Sequence, residues 1–197
     1  MLTFNNNGEA GIYVKYQGDV VDTAIKLPKA LAQLPDEATH YVRFTAGVAT
    51  LINGALLTGG TSKNTCRVVE VVVTNGTLAG NDGEGILFIN ELSGPITSGE
   101  NLDIGVTTQC VARTTNIENK FRGCVAKALF MTVETNSVRF TLDGLTPTNS
   151  AATPASYGHL IQANENIEIV GWDNVKNFYF INAVSTSNGV VNLTVMY

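Results

Sequence analysis

The chain has 197 residues, a formal net charge of -5 and 44% hydrophobic residues. This length and apolar content suffice for one substantial domain or two small ones with real cores, and they exclude a disordered chain. Its 12 lysines and arginines are scattered without clustering, so the attraction to phosphates is weak and we expect no nucleic-acid partner.

The N-terminal residues, MLTFNNNGEAGIYVKY, lack the basic start and the apolar run of a signal peptide. No stretch reaches the length of a membrane span, so we expect synthesis in a cytoplasm and no membrane partner. The three cysteines, Cys66, Cys110 and Cys124, are widely spaced. This spacing fits neither a disulfide framework nor a zinc site, and it predicts buried free thiols.

The composition, with 19 glycines and many Asn and Thr residues, disfavours long helices and predicts an all-β protein. One segment differs: residues 20–38 space several apolar residues in a partly helical manner, but Pro28 and Pro35 interrupt them. A short helix beginning near Pro28 is therefore expected, because proline is tolerated in a first helical turn. We assign residues 1–45 to an N-terminal arm, a strand and helix segment.

Short apolar runs separated by glycine-rich turns follow, and we assign residues 46–115 to a small antiparallel β-barrel-like unit, with an open sandwich as the other possibility. The strands are expected in HYVRFTAGVATL, CRVVEVVV, ILFI and LDIGVTTQCVA. The residues expected in its core are Val69, Val71, Val73, Ile86 and Phe88.

The polar segment 113–123 is the expected boundary, and residues 116–197 form a second unit, an antiparallel β-sandwich with six strands. Apolar residues alternate with polar ones at Val138, Phe140 and Leu142, and again through VVNLTVMY at the end of the sequence. This is the period of strands with one buried face. Asn188-Gly189 predicts a tight hairpin between the two strands that flank it.

The sequence has few candidates for chemistry. His40 and His159 are the histidines, and neither lies in a hydrolase motif. The acidic turn GNDGEG, residues 80–85, is too short a series of ligands for an EF-hand and is best explained as a hairpin tip. We therefore expect a non-enzymatic protein with no catalytic residues, no metal and no cofactor. The aromatic residues available to a carbohydrate-binding platform are Trp172, Tyr179, Tyr157, Tyr13 and Tyr16, and Trp172 with Tyr179 is the pair expected to form it.

The stretch VRFTLDGLTPTNSAATPASYGH, residues 138–159, raises the question of an active site around Asp143 and His159. We interpret Asp143-Gly144 as a turn and the residues up to Ser156 as an exposed loop. His159 is expected to be the first residue of the returning strand. The low charge of the loop makes Thr146, Pro147 and Thr148 candidate contact residues.

Two stretches of the sequence contain further recognisable motifs. The first is VRFTLDGLTPTNS, followed by YGHLIQANENIEIVGWDNVKNFYFI and a closing VVNLTVMY. With a strand ending in Asp-Gly-x-Thr-Pro-Thr and a Gly-His-Leu segment, it resembles β-modules of tailed-bacteriophage virion proteins. LTGGTSKNTCRVVEVVV with GILFINELSGPITSGENL is similar to a second phage structural pattern. The resemblance covers about residues 50–197.

The resemblance implies a structural protein of a phage virion, assembled in the host cytoplasm. A capsid decoration (cement) protein is expected first, docked as a homo-oligomer on the major capsid protein and stabilising the shell. A neck or tail component is the alternative within the virion, and a carbohydrate-binding adhesion module is the alternative of another class. The N-terminal residues Phe4, Ile12, Tyr13 and Tyr16 either add to a neighbour's sheet or lie in the first strand of their own domain.

Overall fold

The computed structural model describes residues 2–4, 10–17, 24–120, 122–149, 157–184 and 189–197. These residues form antiparallel sheets and two short helices, which confirms the predicted all-β class. In chain order the elements are β1 (Leu2–Phe4), β2 (Ala10–Gln17), β3 (Ile25–Lys26), α1 (Lys29–Ala32), β4 (His40–Gly47), β5 (Leu56–Gly59), β6 (Thr65–Asn75), β7 (Gly83–Asn90), β8 (Asn101–Ile104), β9 (Thr107–Ala112), β10 (Ile117–Glu118), β11 (Ala128–Thr135), β12 (Val138–Thr141), β13 (His159–Ile161), β14 (Asn166–Val170), α2 (Trp172–Lys176), β15 (Tyr179–Asn182) and β16 (Val190–Met196).

The chain divides into two compact units, and one is inserted into the sequence of the other. Unit 1 comprises Met1–Gln33 and Val125–Tyr197, and unit 2 comprises Leu34–Cys124. These limits differ from the predicted boundaries at 45/46 and 115/116. Strand β4 crosses the first boundary and pairs with β7 and β9, and β10, beyond the second, pairs with β4. Backbone pairing therefore places both segments in unit 2.

The larger sheet of unit 1 has the order β1-β2-β16-β11-β14. Alternate residues of its central strands are fully buried, and the predicted alternation in β16 is confirmed. These buried residues are Leu129, Met131 and Val133 in β11 and Val191, Leu193 and Val195 in β16. Burial of each such side chain contributes about 1.5–3 kcal/mol. The alternate apolar residues therefore give this sheet one buried face.

The second sheet of unit 1 has the order β13-β12-β15-β3. Val138 and Phe140 are buried as predicted, whereas Leu142 is only half-buried. The rings of Phe178 and Phe180 stack with centroids 5.6 Å apart, and both are fully buried. With two antiparallel sheets, each with a buried apolar face, unit 1 has a sandwich-like architecture.

The prediction of a hairpin at Asn188-Gly189 is wrong. The strands that flank the dipeptide, β15 and β16, belong to different sheets of unit 1. A Cβ atom on Gly189 would lie 2.5 Å from Oδ1 of Asn182, so the chain at residue 189 passes close to a side chain of β15 without pairing with that strand. Asn188 itself lies outside the described residues.

Unit 2 contains a closed ring of six strands, in the order β4-β7-β6-β5-β8-β9, because β9 pairs back onto β4. This closure agrees with the β-barrel-like unit predicted from the sequence. The segment expected as one strand, LDIGVTTQCVA, forms two, because Gly105 turns the chain with a φ of +62°. The buried cluster of unit 2 consists of Val42, Phe44, Leu51, Leu57, Cys66, Val68, Leu87, Ile89, Ile96, Leu102, Cys110 and Ala112.

The predicted core of unit 2 is only partly correct. Val71 and Val73 are half-buried and pack against the buried cluster, as predicted, whereas Val69 is half-buried and does not. Ile86 and Phe88 are fully buried but are not members of this cluster. Strand β6 contains two irregularities in its pairing with β7, between Val68/Glu70 and Val73/Asn75, and each shifts the alternation by one residue. The residues of β6 that pack in or against the cluster therefore change from Cys66 and Val68 to Val71 and Val73, and the buried Val72 is not one of them.

The two helices are short. Pro28 precedes α1, as predicted, and its carbonyl accepts hydrogen bonds from the amides of Leu31 and Ala32 at 2.9 and 3.1 Å. Helix α2, which the sequence did not predict, follows Gly171 at a φ of +96°. Across the described ranges, neither helix is long and apolar enough to cross a membrane.

Unit 2 contains a buried carboxylate, that of Glu100, which accepts several hydrogen bonds. Glu100 is 4% exposed and accepts hydrogen bonds from the amides of Thr61, Ser62 and Thr97 at 3.0, 2.8 and 2.6 Å. The hydroxyl of Ser62 donates a further bond at 2.9 Å. Burial raises the pKa of this carboxyl, but the donors outweigh it and the pKa is lowered overall. The charged form of Glu100 therefore stabilises the turn that contains Thr61 and Ser62 and the turn that contains Thr97.

We expect Glu100→Gln to lower the free energy of unfolding by about 1–3 kcal/mol at neutral pH, because its amide group cannot accept from every donor around it. Urea denaturation measures the loss. Glu91→Gln is the matched control: Glu91 is exposed and pairs with Arg67 at 2.9 Å, so we expect a loss below about 1 kcal/mol. Equal losses in the two variants would contradict a special role for Glu100.

The same carboxylate predicts a pH dependence. The pKa of Glu100 in the folded protein lies below the ordinary value of 4.5. Its contribution to the free energy of unfolding is therefore complete above pH 4.5 and is lost as the pH falls through the pKa of the folded state. The stability difference between the wild type and Glu100→Gln should therefore be constant above pH 4.5 and shrink below it. Denaturation curves across this range test the trend, and a difference that grows on acidification would contradict it.

Strand β2 pairs with β16 along its length, from Gln17 opposite Val190 to Gly11 opposite Met196. We therefore expect the amides of β2 that bond to β16 to be protected from hydrogen exchange in the isolated protein, independently of its concentration. Amides of β16 serve as the internal control. Protection of β2 that disappears on dilution would show that this strand pairs with a neighbouring molecule.

Candidate functional site

The candidate site begins at the turn after β12. Asp143 Oδ1 accepts a hydrogen bond from the amide of Leu145 at 3.0 Å, and Gly144 between them has a φ of +81°. The hydroxyl of Thr141 donates to the carbonyl of Leu145 at 2.5 Å. Asp-Gly is suited to this turn, because aspartate bonds to the backbone two residues on and glycine tolerates positive φ. The predicted Asp143-Gly144 turn is confirmed.

A second segment is held against this turn. The amide of Tyr157 donates to Oγ1 of Thr148 at 2.9 Å, and the amide of Thr148 donates to the carbonyl of Tyr157 at 3.1 Å. Gly158 follows with a φ of +112°, and a Cβ atom there would lie 2.9 Å from the carbonyl oxygen of Phe140. The close approach therefore requires glycine at position 158.

These two segments form an open pocket of about 450 Å³, which we call the Asp143 pocket. It is lined by Thr141, Leu142, Asp143, Tyr157, Gly158 and His159. The hydroxyl of Tyr157 donates to Oδ2 of Asp143. His159 is the first residue of β13, as predicted, and its ring lies 5.3 Å from that of Phe140. The imidazole is exposed and shares the pocket with the carboxylate.

The hydrogen bond between Tyr157 and Asp143 affects the pKa values of both groups. The hydrogen bond from Tyr157 lowers the pKa of Asp143, and the amide of Leu145 and the nearby His159 act in the same direction. The same hydrogen bond raises the pKa of Tyr157, because the phenol gives up its bond to the carboxylate when it ionises. The pocket therefore presents an ionised carboxylate beside a neutral phenol.

The described lining residues of the pocket do not complete either of two familiar hydrolytic arrangements. A hydrolytic triad needs a free hydroxyl beside the imidazole, but Thr141 is 3% exposed and its hydroxyl donates to a backbone carbonyl. Glycoside cleavage uses two carboxyl groups, and Asp143 is the one acidic side chain among the described lining residues.

The candidate contact residues of the loop have different environments. Thr146 and Thr148 are exposed, whereas Pro147 is buried, near Gly158. Residues 150–156, the small polar run expected to be an exposed loop, lie outside the described residues.

The N-terminal contact candidates lie in the backbone of the larger sheet of unit 1. Phe4 is in β1, opposite Ala10 of β2. Ile12, Tyr13 and Tyr16 are in β2, opposite Val195, Thr194 and Val191 of β16. Of the two alternatives for this segment, a strand of its own unit is the one observed.

The other sequence candidates have structural partners. The acidic turn forms the tip between β6 and β7, where Asp82 accepts a hydrogen bond from the amide of Thr77 at 2.9 Å. No group of three potential metal ligands occurs in the part of the chain that the structure describes. The lysine ammonium groups of Lys176 and Lys26 lie 5.8 and 5.3 Å from the ring centres of Trp172 and Tyr179. Lysines thus lie over both rings that a sugar platform would use.

Two of the three cysteines are buried as predicted. Burial raises the pKa of Cys66 and of Cys110 to about 12, so both thiols are protonated and unreactive. Cys124 is exposed, which corrects the prediction for this residue.

An exposed apolar patch lies on the larger sheet of unit 1, and the sequence analysis did not identify it. Phe130 is 38% exposed and Val170 is 63% exposed. Because Phe130 is opposite Glu168 and Ala128 is opposite Val170, the two are diagonal neighbours on one face. Strand β14 is at the edge of this sheet. The carbonyl of Val170 accepts a hydrogen bond from the side chain of Asn174 at 2.8 Å. We call Phe130, Val170 and the edge of β14 the β14 patch.

No protein-family model, curated protein or solved structure was found to match this chain.

The hydrogen bond between Tyr157 and Asp143 has a measurable consequence. We expect Asp143→Asn to lower the pKa of Tyr157 toward the ordinary value of 10.0, because the negative charge that opposes ionisation is removed. Alkaline titration of the tyrosine ring carbons by NMR measures the change. Tyr41 is an internal control, since burial raises its pKa to about 12 in unit 2. An unchanged Tyr157 pKa would contradict the pairing.

Proposed function

We propose that this chain is a non-enzymatic structural protein of a tailed-bacteriophage virion that docks on other virion proteins. A decoration protein bound to the major capsid protein, present as a homo-oligomer and stabilising the shell, is the first form of the proposal. A neck or tail component is the second. The resemblance of the two sequence stretches to phage β-modules motivates this choice, and the sandwich-like and barrel-like units are compatible with it.

The β14 patch is the observation that carries the docking function. An edge strand has unpaired backbone groups that pair readily with another chain, and exposed apolar side chains beside it favour burial. Phe130 and Val170 supply those side chains, and Glu168 lies on the same face of β14. A partner strand added to β14 would satisfy the edge and cover the two apolar residues in one contact.

The proposal is tested by incorporation into particles. We expect the double substitution Phe130→Ser and Val170→Lys to reduce the copies per purified particle at least about tenfold, because it removes apolar contact and adds a charge at the edge. Quantitative mass spectrometry of particles that carry the variant, normalised to the major capsid protein, measures the loss. A denaturation curve of the purified variant, compared with that of the wild type, shows whether the variant is folded.

Val106→Lys provides the matched control, because Val106 is 101% exposed in unit 2 and lies outside the β14 patch. We expect normal incorporation of this variant. Normal incorporation of the double variant would overturn docking through β14, and absence of the wild-type chain from purified particles would overturn the virion assignment.

A further inference from the structure

The Asp143 pocket has a binding chemistry that the docking proposal does not use. Among the described residues, Oδ1 of Asp143 accepts a hydrogen bond from the amide of Leu145 and Oδ2 accepts one from the hydroxyl of Tyr157. The amide of Asp143 itself also interacts with the carboxylate. A carboxylate oxygen has two lone-pair directions, so each retains capacity for a further donor. The two internal donors also fix the orientation of the carboxylate. Asp143 is thus prepared to accept hydrogen bonds from two adjacent hydroxyl groups.

The pocket also supplies a donor and an apolar surface. The imidazole of His159 carries an N–H in either neutral tautomer, and it is exposed in the pocket. The side chain of Tyr157 is held by its hydrogen bond to Asp143, and the residue is 43% exposed. An aromatic ring fixed in this way offers a surface for an apolar C–H face at low entropic cost.

Other classes of ligand fit less well. An anion would meet the Asp143 charge, and the described residues contain no group of three ligands for a metal ion. An ammonium or guanidinium group could donate to Asp143 and to the acceptor nitrogen of a neutral His159, but it offers no acceptor for the imidazole N–H. A sugar presents donors, acceptors and an apolar face together. The volume of about 450 Å³ lies within the range of small-molecule sites, about 300–1,000 Å³.

We propose that the Asp143 pocket binds a neutral sugar or related polyol, with two adjacent hydroxyls on the Asp143 carboxylate, a further oxygen on His159 and a C–H face against Tyr157. This inference is independent of the virion assignment, and it places carbohydrate binding away from Trp172 and Tyr179. We expect this site to bind its ligand without cleaving it, because the Thr141 hydroxyl donates to a backbone carbonyl and Asp143 is the one carboxylate among the described lining residues. Its few contacts and open form imply weak, fast-exchanging binding of a monosaccharide.

The test is an NMR titration of the isotope-labelled protein with glucose, galactose, mannose and N-acetylglucosamine, each added separately. We expect at least one sugar to shift the amide signals of Leu145, Tyr157 and His159 in a saturable manner. Asp143→Asn and Tyr157→Phe should each weaken the apparent affinity about tenfold, as expected when a ligand contact or its positioning bond is lost. The amide spectrum of the remaining residues shows whether each variant is folded.

The matched control is Asp173→Asn, which changes an exposed carboxylate in α2 of the same unit, paired with Lys176 at 2.5 Å. We expect its sugar affinity to equal that of the wild type. Parallel titrations with methylammonium and with inorganic phosphate test the other ligand classes. No saturable shift with any of the four sugars, equal loss in all three variants, or saturable shifts with methylammonium or phosphate alone would each overturn the proposal.

Discussion

Strand β16 has backbone neighbours on both sides, and the larger sheet of unit 1 is arranged around it. It pairs with β11 on one side and with β2 on the other, so it joins segments that are far apart in the sequence. Its buried residues Val191, Leu193 and Val195 explain why this position is stable, because every second side chain leaves water. With β16 in the middle, β1 and β14 become the edges of the sheet. The β14 patch is thus a direct result of the central pairing.

Local sequence signals predicted many elements of the fold but not how they are grouped. The alternation in β16, the turn at Asp143-Gly144 and the short helix after Pro28 were all correctly predicted, because each depends on neighbouring residues alone. The limits of the two units depend on pairing between distant strands, such as β2 with β16 and β10 with β4. A single sequence carries no local signal for such pairs, and the hairpin predicted at Asn188-Gly189 failed for the same reason.

In the candidate site, too, the sequence predicted single residues but not how they come together. The turn residue Asp143 and the strand residue His159 were each identified, yet their presence in one pocket depends on Tyr157 and on the tight passage at Gly158. The low charge and small residues of this stretch gave no indication of a pocket. Likewise, the exposure of Phe130 and Val170 follows from the position of β14 at an edge, whereas in sequence both belong to ordinary apolar runs. The two bulges in β6 change which of its residues face the core. The alternation of apolar residues in the sequence did not reveal these bulges.

The two proposals assign different surfaces of unit 1 to different partners: the β14 patch to another protein and the Asp143 pocket to a neutral sugar. Docking of the sheet edge is the central claim, and cryo-electron microscopy of the native particle tests it most directly. The account expects symmetric copies of this chain with a neighbouring strand against β14 and with Phe130 and Val170 covered. A reconstruction in which the chain is present but β14 and both side chains face solvent would contradict it.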